Sequence, residues 1–411
     1  MSNWALILLM VINMLNKKHL LALAIGAAPF FSHASEADVA DTDARLKAMQ
    51  ERIDYLEKSL NQKLELLANS VEQNSAGSNS STNSGTGRTH IGGYGEMHYR
   101  ALNEDGEDTR ELDFHRMVLF FGHEFNEHAR FVTEFEVEHV LVSDGAQGAV
   151  EIEQVYVEMD LGTQSRLRTG VMLMPIGIIN ETHEPPAFYG VERPVIETSI
   201  IPTTWYSAGL QYIYKNENGL RVDLMLSEGL KTDDPSTDPS LDPFNLKNGK
   251  QKGSFADAYD LAMTARVVYT GHTGLELAAY SQYQPDLDQS AEESYADAAT
   301  LLGGHAIYQS GKLTGKVLYA RWDLAGDAAK TAGKNLQHGG YAEADWRQNA
   351  NWGFFARHSV WSQEKDQQAT QSDVGLNYYP YEDIVFKADI QMQNADAGNA
   401  DGFNLGFGYQ F

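Results

Sequence analysis

The chain contains no cysteine. This excludes a disulfide framework and any thiolate metal centre, and it suits a chain that crosses an oxidising compartment. Basic residues are also scarce, with 31 Lys and Arg against 57 Asp and Glu and a formal charge of −26. That balance excludes nucleic acid, whose phosphates call for clustered Lys and Arg. Beyond the N-terminus no apolar run approaches the roughly 18–20 residues of a spanning helix. Proline is sparse at 11 residues, yet Pro175, Pro185, Pro186, Pro194 and Pro202 all fall within 175–204. Such density rules out helix or central strand. Ile176, Ile178, Ile179, Phe188, Val191, Ile200 and Ile201 make the same stretch too apolar for disorder. An ordered connection of this length signals a functional loop.

What is present begins with an address. Lys17, Lys18 and His19 precede the apolar run Leu20 to Phe31, and Ser32-His33-Ala34 offers a cleavage site. Residues 1–34 therefore read as a signal peptide, with a short membrane anchor as the alternative. A start at Met14 gives a more ordinary leader. Within 35–72, Leu46, Met49, Ile53, Leu56 and Leu60 follow 3-4 spacing, and Leu67 resumes it. This is the seam of a coiled-coil helix, or of an amphipathic helix lying on the domain. The Ser/Asn/Gly run 73–87 reads as a flexible linker. A tethered helix buries its seam best against copies of itself, so a homo-oligomer is expected, with a trimer first.

From Arg88 onward the chain alternates apolar and polar residues in short segments. They fall at 88–101, 111–125, 129–141, 150–161, 165–174, 205–215, 219–229, 257–270, 273–284, 298–309, 312–323, 338–348, 351–361, 371–379, 383–393 and 402–411. The connections alternate as well. Short ones of turn composition, such as Asn126-Glu127-His128 and Gly271-His272, follow long ones at 102–110, 142–149, 175–204, 230–256, 285–297, 324–337, 362–370 and 394–401. Tight turns at one rim and long loops at the other are the pattern of an outer-membrane barrel. The closing strand agrees: Phe403, Leu405, Phe407, Tyr409 and Phe411 share one face, and a final Phe matches the signal read by the barrel assembly machinery. The expected fold is all-β, a 16-stranded antiparallel transmembrane β-barrel over 88–411. Its partners are outer-membrane lipid, lipopolysaccharide and small hydrophilic solutes. The proline-rich stretch becomes its third outer loop.

Parity assigns the lumen wall. Glu134, Glu136 and Glu138 share a face that lipid would not tolerate, and Glu158 continues it. Arg166, Arg168, Arg221, Arg266 and Arg357 also point inward. Each of these could simply be a solvated lumen residue. The sharper expectation is that Glu181, Glu184, Glu192 and Glu197 of the loop, with Arg193, form a constriction whose carboxylates oppose an arginine arc and filter by charge. Catalytic signals are poor. His123 to His128 (HEFNEH) meets neither zinc spacing, no nucleophile motif occurs, and no metal or cofactor is expected. An outer-membrane hydrolase and a purely structural tethered barrel are the rival readings.

Gly170, Pro175-Ile176-Gly177, Glu192-Arg193, Pro202 and Gly209, with the coiled coil, the strand count and the closing Phe, resemble the phosphate-selective porin O and P family. The resemblance implies a trimeric sixteen-stranded diffusion channel with a constriction loop. Members selective for phosphate line the pore with Lys and Arg, whereas here Lys316 and Lys387 are the inward lysines. That departure favours cations or neutral solutes. A more distant similarity to siderophore porins adds iron-chelate uptake as an alternative.

Overall fold

The computed structural model describes residues 88–142, 148–232, 242–290, 296–396 and 398–411. The leader, coiled-coil seam and linker expected over 1–87 lie outside the described residues. The remainder is a barrel of sixteen strands. In order they are β1 (Arg88–Glu104), β2 (Glu107–Asn126), β3 (Ala129–Glu138), β4 (Ala149–Asp160), β5 (Ser165–Leu173) and β6 (Tyr206–Lys215). Next come β7 (Leu220–Ser227), β8 (Ala262–His272), β9 (Leu275–Gln284), β10 (Ala299–Ser310) and β11 (Leu313–Leu324). The last are β12 (Leu336–Arg347), β13 (Trp352–Ser362), β14 (Ala369–Tyr381), β15 (Ile384–Ala395) and β16 (Ala400–Gln410). Each pairs antiparallel with the next, and β1 pairs with β16 from Tyr94↔Gln410 to Glu104↔Ala400, so the sheet closes on itself. Closure is what a sheet needs in hydrocarbon, because a free edge would leave backbone N–H and C=O groups unpaired.

The alternation that builds the strands also sorts their faces. Val150, Ile152, Leu210, Leu224, Val317, Val374, Phe386, Ile390, Phe403 and Leu405 are exposed on the isolated barrel, while their strand neighbours turn inward. In a membrane these side chains meet lipid. Near the short turns, Trp352 packs on Tyr378 at 4.5 Å, Trp346 on Phe354 at 5.7 Å and Phe386 on Phe407 at 5.1 Å. Aromatic rings at this level form the girdle of the membrane interface.

Two features depart from the sequence reading. The connection expected over 102–110 is a hairpin closed at Asp105-Gly106, both at positive φ (52° and 94°). Asp-Gly favours the primed turn that matches strand twist. The charged residues Glu104, Glu107, Asp108 and Arg110 look like loop composition, but they lie on strands here. Second, β-bulges break the parity. One lies between β3 and β4, where Glu134 pairs with Gln154 and Phe135 with Ile152, leaving Glu153 as the extra residue. Another lies in β2 opposite Met97, between the pairs Glu96↔Arg116 and His98↔Asp113. A bulge re-aims side chains locally, and both of these re-aim them into the lumen beside the long loop.

The β5–β6 connection, L3 (174–205), is folded into the barrel. It carries a 3-10 turn at Pro185–Ala187 and a short helix α1 (Ile196–Ser199). Ile196, Ile200, Ile201 and Trp205 are fully buried against Leu301, Leu318 and Trp322 of the wall, together with Leu230 and Leu246 from the β7–β8 loop. Each such side chain contributes roughly 1.5–3 kcal/mol. The apolar content that excluded disorder is an apolar core inside a barrel.

Candidate functional site: the loop across the lumen

L3 is held from many sides of the wall. The Trp322 indole N–H of β11 donates to the Ile200 carbonyl at 2.9 Å. The amide of Val191 donates to Asp389 of β15 at 2.7 Å, and Asn377 of β14 donates to the Phe188 carbonyl at 3.1 Å. Lys387 places its ammonium 3.5 Å from the centre of the Phe188 ring, a cation–π contact that offsets its burial. The small inner face of β16 receives the loop. A methyl group on Gly408 would overlap the Pro185 ring, and one on Gly406 would crowd Val191. At both positions a glycine leaves room for the loop side chains that rest on the wall.

The loop carboxylates divide by role. Glu181 meets the arginine arc: it pairs with Arg266 and lies 3.5 Å from Arg221, while both arginines also pair with buried Asp223. Burial opposes its ionisation, but the charges of Arg266 and Arg221 outweigh that and hold its pKa below the usual range. Glu192 faces histidine rather than arginine, with Oε1 3.1 Å from His98 Nδ1. Burial again works against the charge, yet the hydrogen bond from His98 and the charges of His98, His115 and Arg100 bring its pKa down to about 2. Glu197 does not reach the water. It is 0% exposed, and it accepts hydrogen bonds from the amides of Ile178 and Ile179 and from the Tyr341 hydroxyl, each at 2.8 Å. Burial pushes its pKa up. Glu184 is half-buried at the start of the 3-10 turn, and Arg193 donates to Thr204 at 2.9 Å. The arc thus opposes one loop carboxylate of the four.

On the wall the expected arginines are paired close at hand. Arg168 donates to Glu158 at 2.5 Å, and Arg166 lies 3.4 Å from Asp160. Arg357 lies 3.0 Å from Glu343 and 3.2 Å from Asp373. Lys316 pairs with Glu343 and Asp345 at 2.6 and 2.9 Å. Glu134 and Glu136 are buried at 1% exposure beneath L3, and Glu138 sits beside a cavity described below.

Sequence parity missed the centre of this arrangement. His183 of L3 is buried between Glu134 (3.6 Å) and Glu153 (3.4 Å). Burial and the nearby Arg193 work against a charged imidazole, but the adjacent carboxylates of Glu134 and Glu153 hold its pKa at about 9. Glu153 escaped notice because the bulge shifts it out of phase. The faint signal was in the β4 sequence, where Glu151 and Glu153 alternate and Tyr156 and Glu158 resume one residue late.

Between L3 and the wall formed by β1, β2 and β3 lies a cavity of about 180 Å³, bordered by Glu96, His98, His115, Glu138, Glu192 and Arg193. Arg116 of β2, Phe188, Val191, Thr198, Thr203 and Thr204 of L3 and Lys247 of the next loop complete it. The space is small and polar, with charges of both signs.

A closed sixteen-stranded barrel with a lipid-facing apolar band, an aromatic girdle and a long loop folded into a polar lumen defines an outer-membrane porin. The chain belongs to the phosphate-selective porin O and P family, whose model matches residues 86–411. An uncharacterized protein of Aquifex aeolicus (strain VF5) is 36% identical over 190 residues, which is 46% of this chain and 42% of the relative. The chain therefore matches less than half the length of that curated relative. Among solved structures, an anion-selective porin from Comamonas acidovorans superposes with a TM-score of 0.57 at 12% identity, covering 79% of this chain and all of that one. The outer-membrane protein OmpT of Vibrio cholerae, in a trimer form, gives 0.51 at 11%, covering 79% and 99%. At these identities the two structures speak for the fold alone.

Proposed function

We propose that the protein is a passive channel for small hydrophilic solutes, that solutes pass L3 along the cavity beside Glu192, and that its filter favours cations and neutral molecules over phosphate. One observation carries this reading. The wall arginines Arg116, Arg130, Arg166, Arg168, Arg221, Arg266 and Arg357 each lie within 4 Å of a carboxylate. A cation already paired offers an anion little field, and the chain as a whole is strongly acidic. Phosphate selectivity would call for a ladder of unpaired lysines and arginines, whereas the cavity beside Glu192 sets Arg193 and Lys247 among the carboxylates of Glu96, Glu138 and Glu192. Reversal potential across a KCl gradient in planar bilayers tests the reading. A preference for K⁺ is expected, with KCl conductance unaffected by added phosphate. Anion preference, or block by phosphate, would refute it. A trimer is the assembly proposed, supported by the trimer form of the Vibrio cholerae protein.

The barrel is proposed to act without covalent chemistry. Uptake of an iron chelate and a purely structural barrel remain as outcomes of the conductance test: block by a ferric chelate would favour the first, and a silent bilayer the second.

A further inference from the structure

The bulge in β2 has a second effect. It brings Asp113 and His115 to the same side as His139 at the end of β3. His139 Nδ1 lies 2.8 Å from Asp113 Oδ2, and His115 Nδ1 lies 3.2 Å from the same oxygen. One donor atom from each residue fits within 4.8 Å of the others. Two donors about 2.0–2.1 Å from a tetrahedral ion are themselves about 3.4 Å apart, so little movement separates the observed positions from a shared coordination sphere. Side-chain exposures of 19%, 30% and 35% for Asp113, His115 and His139 leave the group open to water, which can supply the remaining ligands.

Two further observations favour a ligand site over a local hydrogen-bond cluster. His139 holds its position with φ of 48°, a left-handed backbone uncommon for histidine, and this conformation sets its ring against Asp113. His98 stacks on His115 with ring centroids 4.8 Å apart, and both border the cavity that Glu192 closes. Nitrogen and carboxylate donors therefore continue from the cluster into the passage.

We propose that Asp113, His115 and His139 bind a first-row divalent transition-metal ion, of the Zn²⁺, Cu²⁺ or Ni²⁺ class, at the outer side of the constriction. Imidazole with a single carboxylate suits these ions, whereas Ca²⁺ and Mg²⁺ take oxygen-rich sets. On binding, the ring proton facing Asp113 on each neutral histidine passes through water to Nε2, and the freed Nδ1 lone pair of each imidazole takes the ion. The histidines that neither zinc motif nor strand parity marked in the sequence are brought together by strand pairing.

The test is binding, which does not depend on the channel's selectivity. Untagged full-length protein, folded in detergent and stripped with chelator, is titrated with ZnCl₂ in a calorimeter. Saturable binding is expected at one ion per chain, unaffected by excess Mg²⁺ and at least tenfold weaker in the His115→Gln/His139→Asn double variant. Asparagine is chosen at 139 because it adopts the left-handed backbone readily. Absence of saturable binding, equal affinity in the variant, or displacement by Mg²⁺ would overturn the proposal. Cu²⁺ electron paramagnetic resonance on the wild type provides a readout that needs no variant. Hyperfine coupling to two imidazole nitrogens supports the site, and an all-oxygen spectrum refutes it.

Discussion

His183 holds the most consequential charge in the loop. It is the cation between Glu134 and Glu153, and a further carboxylate, Glu136, lies within the same buried group. Removing one partner of a buried ionic group leaves the others uncompensated, at roughly 3–5 kcal/mol. His183→Gln should therefore loosen L3. Hydrogen exchange at Ile178, Ile179 and Val191 is expected to speed up at least tenfold, and unchanged exchange would remove His183 as an anchor. The same residue sets a pH dependence. Its folded pKa of about 9 lies above the ordinary 6.5. Its contribution to loop docking is thus complete below pH 6.5 and is lost as pH rises through 9. Glu192 has the opposite sign: its pKa of about 2 lies below 4.5, so its contribution holds above pH 4.5 and fades toward 2. Docking should be firmest between 4.5 and 6.5. Open-channel current noise in planar bilayers should rise between pH 6.5 and 10, and a flat profile there would count against the His183 anchor.

At the scale of elements, β16 and L3 are one interlocking unit. The sequence GFNLGFGYQF shows an apolar face for lipid and a glycine-rich face whose purpose is silent in one dimension. In the barrel that face is where Pro185 and Val191 rest. A side chain there displaces the loop without disturbing the lipid face. Gly408→Val should leave heat-modifiable migration of the barrel intact while changing single-channel conductance, and a variant with wild-type conductance would mean that the seat is dispensable. The bulges show what strand parity could not reach. Alternation is a property of regular strands, and a single inserted residue inverts it locally. Glu134, Glu136 and Glu158 were legible because they lie on regular stretches, whereas Glu153 and the Asp113–His115 pair were not.

For the whole molecule, closure of the sheet does not run through the loop. The sheet closes through β1–β16 pairing, and L3 adds contacts inside it without supplying a strand. Deleting 178–200 should leave a folded barrel of raised conductance and unchanged oligomeric state, read by bilayer recording and by cross-linking. Unchanged conductance would place the constriction elsewhere, and a barrel that no longer folds would show that L3 supplies essential core. The second outcome has a physical basis to be tested, since Ile196, Ile200 and Ile201 lie in the apolar cluster with Trp205 and Trp322.

The sequence by itself determined the strand count, the closing of the sheet by an aromatic-edged final strand, and the proline-rich stretch as the third long loop. These follow from period-2 alternation and turn chemistry, which act over a few neighbouring residues and leave a mark in the order of letters. Only the tertiary structure decided which charges meet. It set Glu181 against Arg221 and Arg266, Glu192 against His98 and His183 between two glutamates, and it withdrew Glu197 into a buried hydrogen-bond network. Those partners are far apart along the chain, so the fields they share depend on barrel register and on two bulges. The thirty residues that looked like an interruption between strands are held across the lumen by contacts that no local pattern encodes.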